Sequence, residues 1–429
     1  MAQIFPFTDP VVAEETPPTQ FLRGEGVRVF DAKGKTYIDA VSALWCASLG
    51  FTPERLTRAM TDQMGKLAYY HSFMGRTPEV ADQLAARLVA RLPGMDRVFF
   101  GTSGSEAVET ASKFVRYYWN AEDRPQKKRI IAREGAYHGS GQMSAALTGL
   151  AYCHDGFDLP LDAVLRTGRP HYLRDAEPGE SEIDFSKRRA RELDALIKAA
   201  DPGTVGAFIG EPVMGAGGVI LPPKGYWAEI QNVLAKHNIL LIADEIICGF
   251  GRTGEWFACE TYDIHPDMMT VAKQLTASVF PMSAVAVSGK VYDAIESLGH
   301  SNGTLGHGVT YGGHPVGAAV ALECLDIYEE MDLPAHVGRL GQRITDGLAP
   351  LRTNPGVLDV RNQGMLAAVE FETDAQARAV GEEAERLGVF FRIIGPVLAI
   401  APPYTCTDAE IDQITSIMRQ SVQAQLTDA

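Results

Sequence analysis

The chain has 429 residues, 46% of them hydrophobic and 22% charged, with a formal net charge of −15. That length exceeds what one hydrophobic core usually serves. The acidic balance, with no basic cluster longer than Lys127-Lys128-Arg129, argues against nucleic-acid binding through clustered positive charge. In chain order, the segment RVFDAKGKTYIDA (28–40) predicts a hairpin turning at Lys33-Gly34. Short apolar strands are expected at 98–100, 129–132, 205–210, 239–243, 268–271 and 284–288, each flanked by Gly, Asp or Pro. Helical patterns lie between them; Ala107, Val108, Ala111, Phe114, Val115 and Tyr118 mark one helix face. GMLAAVEFE (364–372) and VLAIAPP (397–403) read as further strands. Thr407-Asp408-Ala409-Glu410 opens a last helix as a capping box, with Ile411, Ile414, Met418 and Val422 on its apolar face. The alternation predicts an α/β fold with a mostly parallel sheet. A large domain is expected over 56–312, with a smaller α+β domain built from 1–55 and 313–429.

No apolar run reaches membrane-spanning length, and MAQIFPFTDPVVAEE lacks the order of a signal peptide. The expectation is a cytoplasmic enzyme with no membrane partner. The six cysteines are scattered without a CxxC, so no zinc ribbon, redox motif or other metal site is expected.

In open α/β sheets, ligands bind beyond the carboxyl ends of the strands. After 98–100 comes GTSGSEAVETASKF. Its glycines and hydroxyls lead into a helix whose free N–H groups form an anion site, with Gly104 admitting the anion and Ser105 adding a donor. Simple helix capping by Ser103 or Ser105 is the alternative. After 129–132, EGAYHGSG sets Tyr137 and His138 among glycines, and Tyr137 can lie flat on a planar ligand. Glu211 and Asp244 end two further strands. Gly249-Phe250-Gly251-Arg252-Thr253-Gly254 formally matches GxGxxG, but it neither follows the strand directly nor opens an amphipathic helix, so a dinucleotide site is rejected. After 268–271 stands Lys273 among apolar neighbours. A lysine there either snorkels to water or loses its proton through desolvation and becomes a nucleophile. Together, an anion cradle, an aromatic plate, a strand-end carboxylate and an apolar-flanked lysine match the needs of pyridoxal 5'-phosphate.

The motifs SGSEAVETASK, AYHG, EPVMGAGGVI, ADEIICGFGRTG and GHGVTYGGHPVGAA stand in an order that resembles the class III (omega-amino-acid) aminotransferases of the fold-type I pyridoxal-phosphate superfamily. The resemblance implies a large domain with a seven-stranded, mostly parallel sheet and a ping-pong transfer of an amino group to a keto acid. By it, Lys273 is the Schiff-base lysine and proton shuttle, and Asp244 partners the pyridine nitrogen. Ile246 and Tyr137 cover the two ring faces, and Gly104 and Ser105 hold the phosphate. Thr310 resembles the threonine that reaches the phosphate from a neighbouring subunit, implying a homodimer or a dimer of dimers. His138 and Glu211 are expected around the cofactor. LWCASLGF (44–51) resembles the amine:pyruvate and beta-alanine:pyruvate subgroup, with Leu44 and Trp45 lining the substrate pocket; the alternative for Trp45 is a core position. Phe7 resembles an aromatic that folds over that pocket. Arg392 resembles a mobile arginine that binds a substrate carboxylate; the alternative is a surface ion pair.

Gln274 and Ser278 depart from the pattern, standing where many relatives carry glycine. Rival readings are an aminomutase on the same scaffold and a non-catalytic pyridoxal-phosphate-binding protein.

Overall fold

The computed structural model describes residues 2–426. Its centre is a seven-stranded sheet formed by β1 (Arg97–Gly101), β2 (Arg129–Arg133), β3 (Val164–Thr167), β4 (Val205–Gly210), β5 (Leu240–Asp244), β6 (Met268–Val271) and β7 (Ser283–Val287). The spatial order is β1-β7-β6-β5-β4-β2-β3. Only β7 runs antiparallel to its neighbours; the other pairings are parallel.

The strand sequences lack polar alternation because both sheet faces are covered. Successive residues enter two different apolar clusters. Ile131, Phe208, Leu241, Met269 and Ala284 join one, while Ile130, Ala207, Ile242, Met268 and Val285 join the other. Strands β4 to β7 are buried along their whole length, as expected of strands sandwiched between helices.

Helix α1 (Gly104–Ala121) follows β1 and buries the apolar face expected of it, with Ala107, Val108, Ala111, Phe114, Val115 and Tyr118 turned inward. Strand β3 was not legible in the sequence. It is a four-residue edge strand containing Arg166, whose guanidinium leaves the sheet to bond the Ala146, Leu147 and Thr148 carbonyls.

The hairpin forms from Arg28–Asp31 and Thr36–Asp39. Asp31 accepts from the Lys33 and Lys35 amides, and Gly34 supplies the positive φ of 83° that the turn requires. Strand Phe21–Glu25 extends it, and Val389–Phe390 pairs parallel with its inner edge, joining the two chain ends. A third sheet holds Val357–Gln363, Leu366–Phe371, Arg392–Ile394 and Val397–Ile400. The last helix, Asp408–Leu426, has its capping box: the Thr407 amide donates to Glu410 and the Glu410 amide to Thr407. Helix Pro315–Glu330 is pinned to the helices Glu54–Lys66 and Glu79–Arg91 through ion pairs from Arg55, Arg87 and Arg91. Leu56, Leu84, Phe250, Tyr328 and Tyr404 thus share one core across the expected 312/313 boundary.

Candidate active site

Beyond the carboxyl ends of β2, β4, β5 and β6, and against the start of α1, lies a cavity of about 380 Å³, a volume suited to a small-molecule site. Each strand end contributes to it.

In the β1–α1 turn the two serines do different things. Ser103 caps the helix, its hydroxyl accepting from the Glu106 amide. Ser105 is released from capping; its hydroxyl accepts from the Ser140 amide at 3.0 Å and borders the cavity. Gly104 and Gly139 are close-approach positions. A Cβ on Gly104 would meet Ile246 Cδ1 at 2.9 Å, and one on Gly139, at φ 132°, would meet Ser105 Oγ at 2.6 Å.

Asp244 ends β5 only 3% exposed. His138 Nδ1 lies 2.7 Å from its Oδ2, and Oδ1 accepts from Thr270 Oγ1 at 3.1 Å and the Ile246 amide at 3.2 Å. The carboxylate is therefore oriented from three sides. Glu211 is equally buried and accepts from the Tyr137 and Gly215 amides; burial pushes its carboxyl above the usual range, opposed by the charges of His138 and Arg133. Glu245 turns away to accept from the Ala258 and Cys259 amides, and burial there pushes its carboxyl up to about 7.

Lys273 sits on the same cavity with φ 49°. Burial lowers the proton affinity of its amine, with the carboxylates of Asp244 and Glu211 acting in the opposite sense. No side chain among the described residues hydrogen-bonds that amine, so it is available to a ligand. The residue is partly exposed, and its amine opens onto the cavity.

The chain matches the family Aminotransferase class-III over residues 11–422. It belongs to that family. A gamma-aminobutyrate transaminase 3 of Solanum lycopersicum is 43% identical, covering 95% of this chain and 81% of the relative. A probable gamma-aminobutyrate transaminase 2 of Oryza sativa is 41% identical, covering 99% and 88%. Among solved structures, the omega transaminase of Pseudomonas jessenii in complex with PMP superposes with a TM-score of 0.97 at 41% identity, covering 99% of this chain and 96% of that one.

Aminotransferases of this class use pyridoxal 5'-phosphate, and the residues present fit it. The N-terminus of an 18-residue helix faces the cavity for an anion, two glycines leave room where a Cβ would collide, and a desolvated amine and an oriented carboxylate border the same space.

The remaining residues expected in this aminotransferase site divide. Ile246, Tyr137, His138, Glu211 and Leu44 border the cavity. Phe7 is not among the residues that border the cavity, but it meets Tyr137, which is, edge-on at 6.4 Å. Trp45 does not line the cavity; it is 5% exposed and packs with Val41, Val213, Val219 and Ile247. Positive φ at Ser42, Ala43 and Trp45 turns Leu44 outward and the tryptophan inward. Arg392 is exposed on its strand and borders a neighbouring cleft of about 650 Å³, which shares Leu44 with the cavity. Thr310 is exposed outside the cavity, its carbonyl accepting from Tyr69 Oη at 2.7 Å.

Sequence reading missed Cys46, Phe280 and Met282, which line the cavity, and Tyr152, which packs edge-on against Phe7 at 6.2 Å. Their only signal is proximity to residues already singled out, such as Cys46 beside Trp45. After the lysine, Ala277 and Ser278 hold φ of 45° and 62°, a region that favours glycine; Gln274 does not share that conformation.

Proposed function

We propose that this aminotransferase takes its amino group from an omega-amino acid or amine and passes it to a keto acid, pyruvate first among acceptors. The observation that carries the reading is the desolvated Lys273 amine, without a hydrogen-bond partner among the described residues, on one cavity with the three-way-oriented Asp244. When bound, pyridoxal phosphate supplies an electron-withdrawing ring and a carbonyl carbon that takes up the donor nitrogen. Asp244 would hold the ring nitrogen protonated, and Ile246 and Tyr137 would flank the ring. Gly104, Ser105 and the start of α1 would receive the phosphate. Lys273 Nζ, its proton affinity lowered by desolvation, would take the proton from the donor carbon as general base and deliver it as general acid to the carbon that received the donor nitrogen.

The donor end supports an extended substrate. Leu44, Cys46 and Phe280 give it apolar walls. Arg392 stands one cleft away, where it can meet a carboxylate distant from the amine. Its charge reaches Tyr152, opposing the upward push of burial on that phenol.

Two copies complete the site in this reading. Leu67, Tyr69, Phe73, Met74 and Tyr311 expose apolar surface near Thr310, a concentration that marks an interaction surface. A cytoplasmic location belongs to the same proposal; among the described residues no helix is long and apolar enough to cross a membrane.

A donor panel of beta-alanine, 4-aminobutyrate, taurine, putrescine and aromatic amines, each with pyruvate and 2-oxoglutarate, tests the reading. Omega-amino donors turning over with pyruvate support it. Turnover with 2-oxoglutarate alone sinks the acceptor assignment, and exclusive use of alpha-amino acids sinks the donor assignment.

A further inference from the structure

Gln274 directly follows the cavity lysine and is fully buried. Its amide Nε2 donates to two backbone carbonyls, Trp45 O and Ile247 O, each at 3.0 Å. These belong to different walls. Trp45 lies between Leu44 and Cys46, which both border the cavity, and Ile247 follows Ile246, which faces Gly104. The backbone carbonyl of Gln274 is tied as well: Tyr328 Oη donates to it at 2.7 Å, and Ser48 Oγ lies 2.7 Å from the same hydroxyl. Since the single Tyr328 proton goes to Gln274, Ser48 is the donor in the second bond. The 42–48 segment is therefore fastened to the lysine loop twice.

That segment needs fastening. Ser42, Ala43 and Trp45 hold φ of 51°, 59° and 64°, values that persist in non-glycine residues only where surrounding contacts impose them. Asp39 and the Ala401 carbonyl fix the stretch around Ser42. Apart from the Trp45 amide's bond to the Val41 carbonyl and bonds internal to the segment, Gln274 is the hydrogen-bond anchor of residues 44–46 among the described residues. The buried Gln274 Oε1 has no partner among the described residues, so the polar function of the side chain there lies in its two donated bonds.

We propose that Gln274 is a positioning residue for donor recognition. It sets the separation between the Leu44–Cys46 wall and the Ile246–Lys273 side, and so the width of the cavity end that receives the amino donor. The inference rests on reading that wall as donor-binding. The α1 N-terminus and Asp244 have their own supports, so loss of Gln274 widens the donor end without releasing the cofactor.

The test compares holoenzymes of wild type, Gln274→Met, which keeps the side-chain length but removes both donors, and Tyr328→Phe, which cuts the second tie. For Gln274→Met the expected result is a donor KM raised roughly tenfold with kcat within about threefold, and an unchanged visible cofactor band. Thiol-reagent labelling of Cys46, followed by mass spectrometry, should be faster, while Cys153, also partly exposed, labels at the wild-type rate. Tyr328→Phe shifts both readouts in the same sense by less, and carries the test if Gln274→Met does not fold. Wild-type Cys46 labelling overturns the proposal. So does a rise shared by Cys153 and the buried Cys248 and Cys259, which would report general loosening, and so does faster Cys46 labelling with an unchanged donor KM. Failure of the wall reading shows separately, as a Leu44→Ala variant whose donor KM does not move.

Discussion

His138 Nδ1 lies 2.7 Å from Asp244 Oδ2, with the histidine side chain fully buried and the aspartate nearly so. A carboxylate only accepts, so Nδ1 carries the proton in this bond. The histidine thereby holds one oxygen of Asp244, while Thr270 and the Ile246 amide hold the other. His138→Leu removes one of three supports and leaves the strand ends in place. By analogy with other buried orienting groups, kcat/KM should fall by about 10–100-fold, and cofactor affinity should weaken in an equilibrium titration. A variant with wild-type kcat/KM would show that the other two bonds suffice.

Gly104 and Ile246 meet on the wall of the cavity that the proposed function assigns to the cofactor. A Cβ on Gly104 would lie 2.9 Å from Ile246 Cδ1 and 3.4 Å from Cγ2. The first atom is the end of a flexible side chain, so Gly104→Ala should be accommodated by displacing Ile246. Cofactor affinity should drop roughly tenfold, with little loss of melting temperature. Ile246→Val removes the colliding methyl, so the double variant should bind more tightly than additivity of the single changes allows. Strict additivity in a double-mutant cycle would separate the two residues.

Legibility in the sequence followed chemistry more than conformation. Strands β4 to β7 could be read because both faces are apolar and each run is short. Lys273, Asp244 and the β1–α1 turn could be read because charged and glycine-rich positions interrupt such runs at strand ends. The position of Trp45 could not, because it depends on three positive φ values at residues that ordinarily avoid them. Cys46 and Phe280 reach the cavity through tertiary packing, with no local pattern to announce it. Strand β3 was hidden by Arg166, a residue that belongs to a helix C-terminus in space although it lies in a strand along the chain.

Thr310 lies exposed and outside the cavity of its own chain, which makes its role testable by mixing subunits. Lys273→Ala alone should be inactive, and Thr310→Ala alone should bind the cofactor weakly. Under the two-copy proposal, co-refolding or co-expression of the two variants should give hybrids in which one site has both Lys273 and a partner's Thr310 intact. Activity at limiting cofactor should then exceed that of either parent preparation. Hybrids no better than Thr310→Ala alone would remove Thr310 from the neighbouring site.

Lys273 also makes a prediction about stability. Burial lowers its pKa from an ordinary value of 10.5. In the unfolded chain the amine keeps its proton up to that ordinary value, while the folded protein releases it at lower pH. Between the two values the unfolded state binds more protons, so stability rises with pH across that window. Below the window, folding must bury a charge, and the lysine opposes it. Cofactor-free Lys273→Met, which keeps the length and removes the charge, should therefore melt above cofactor-free wild type near neutral pH. The gap should close as pH rises toward 10.5, while transamination is lost at every pH. Melting curves at a series of pH values check both signs. A variant that melts lower than wild type, or a gap that widens with pH, would mean that Asp244 and Glu211 together outweigh desolvation, and the amine would then need another route to neutrality before it could act as a base.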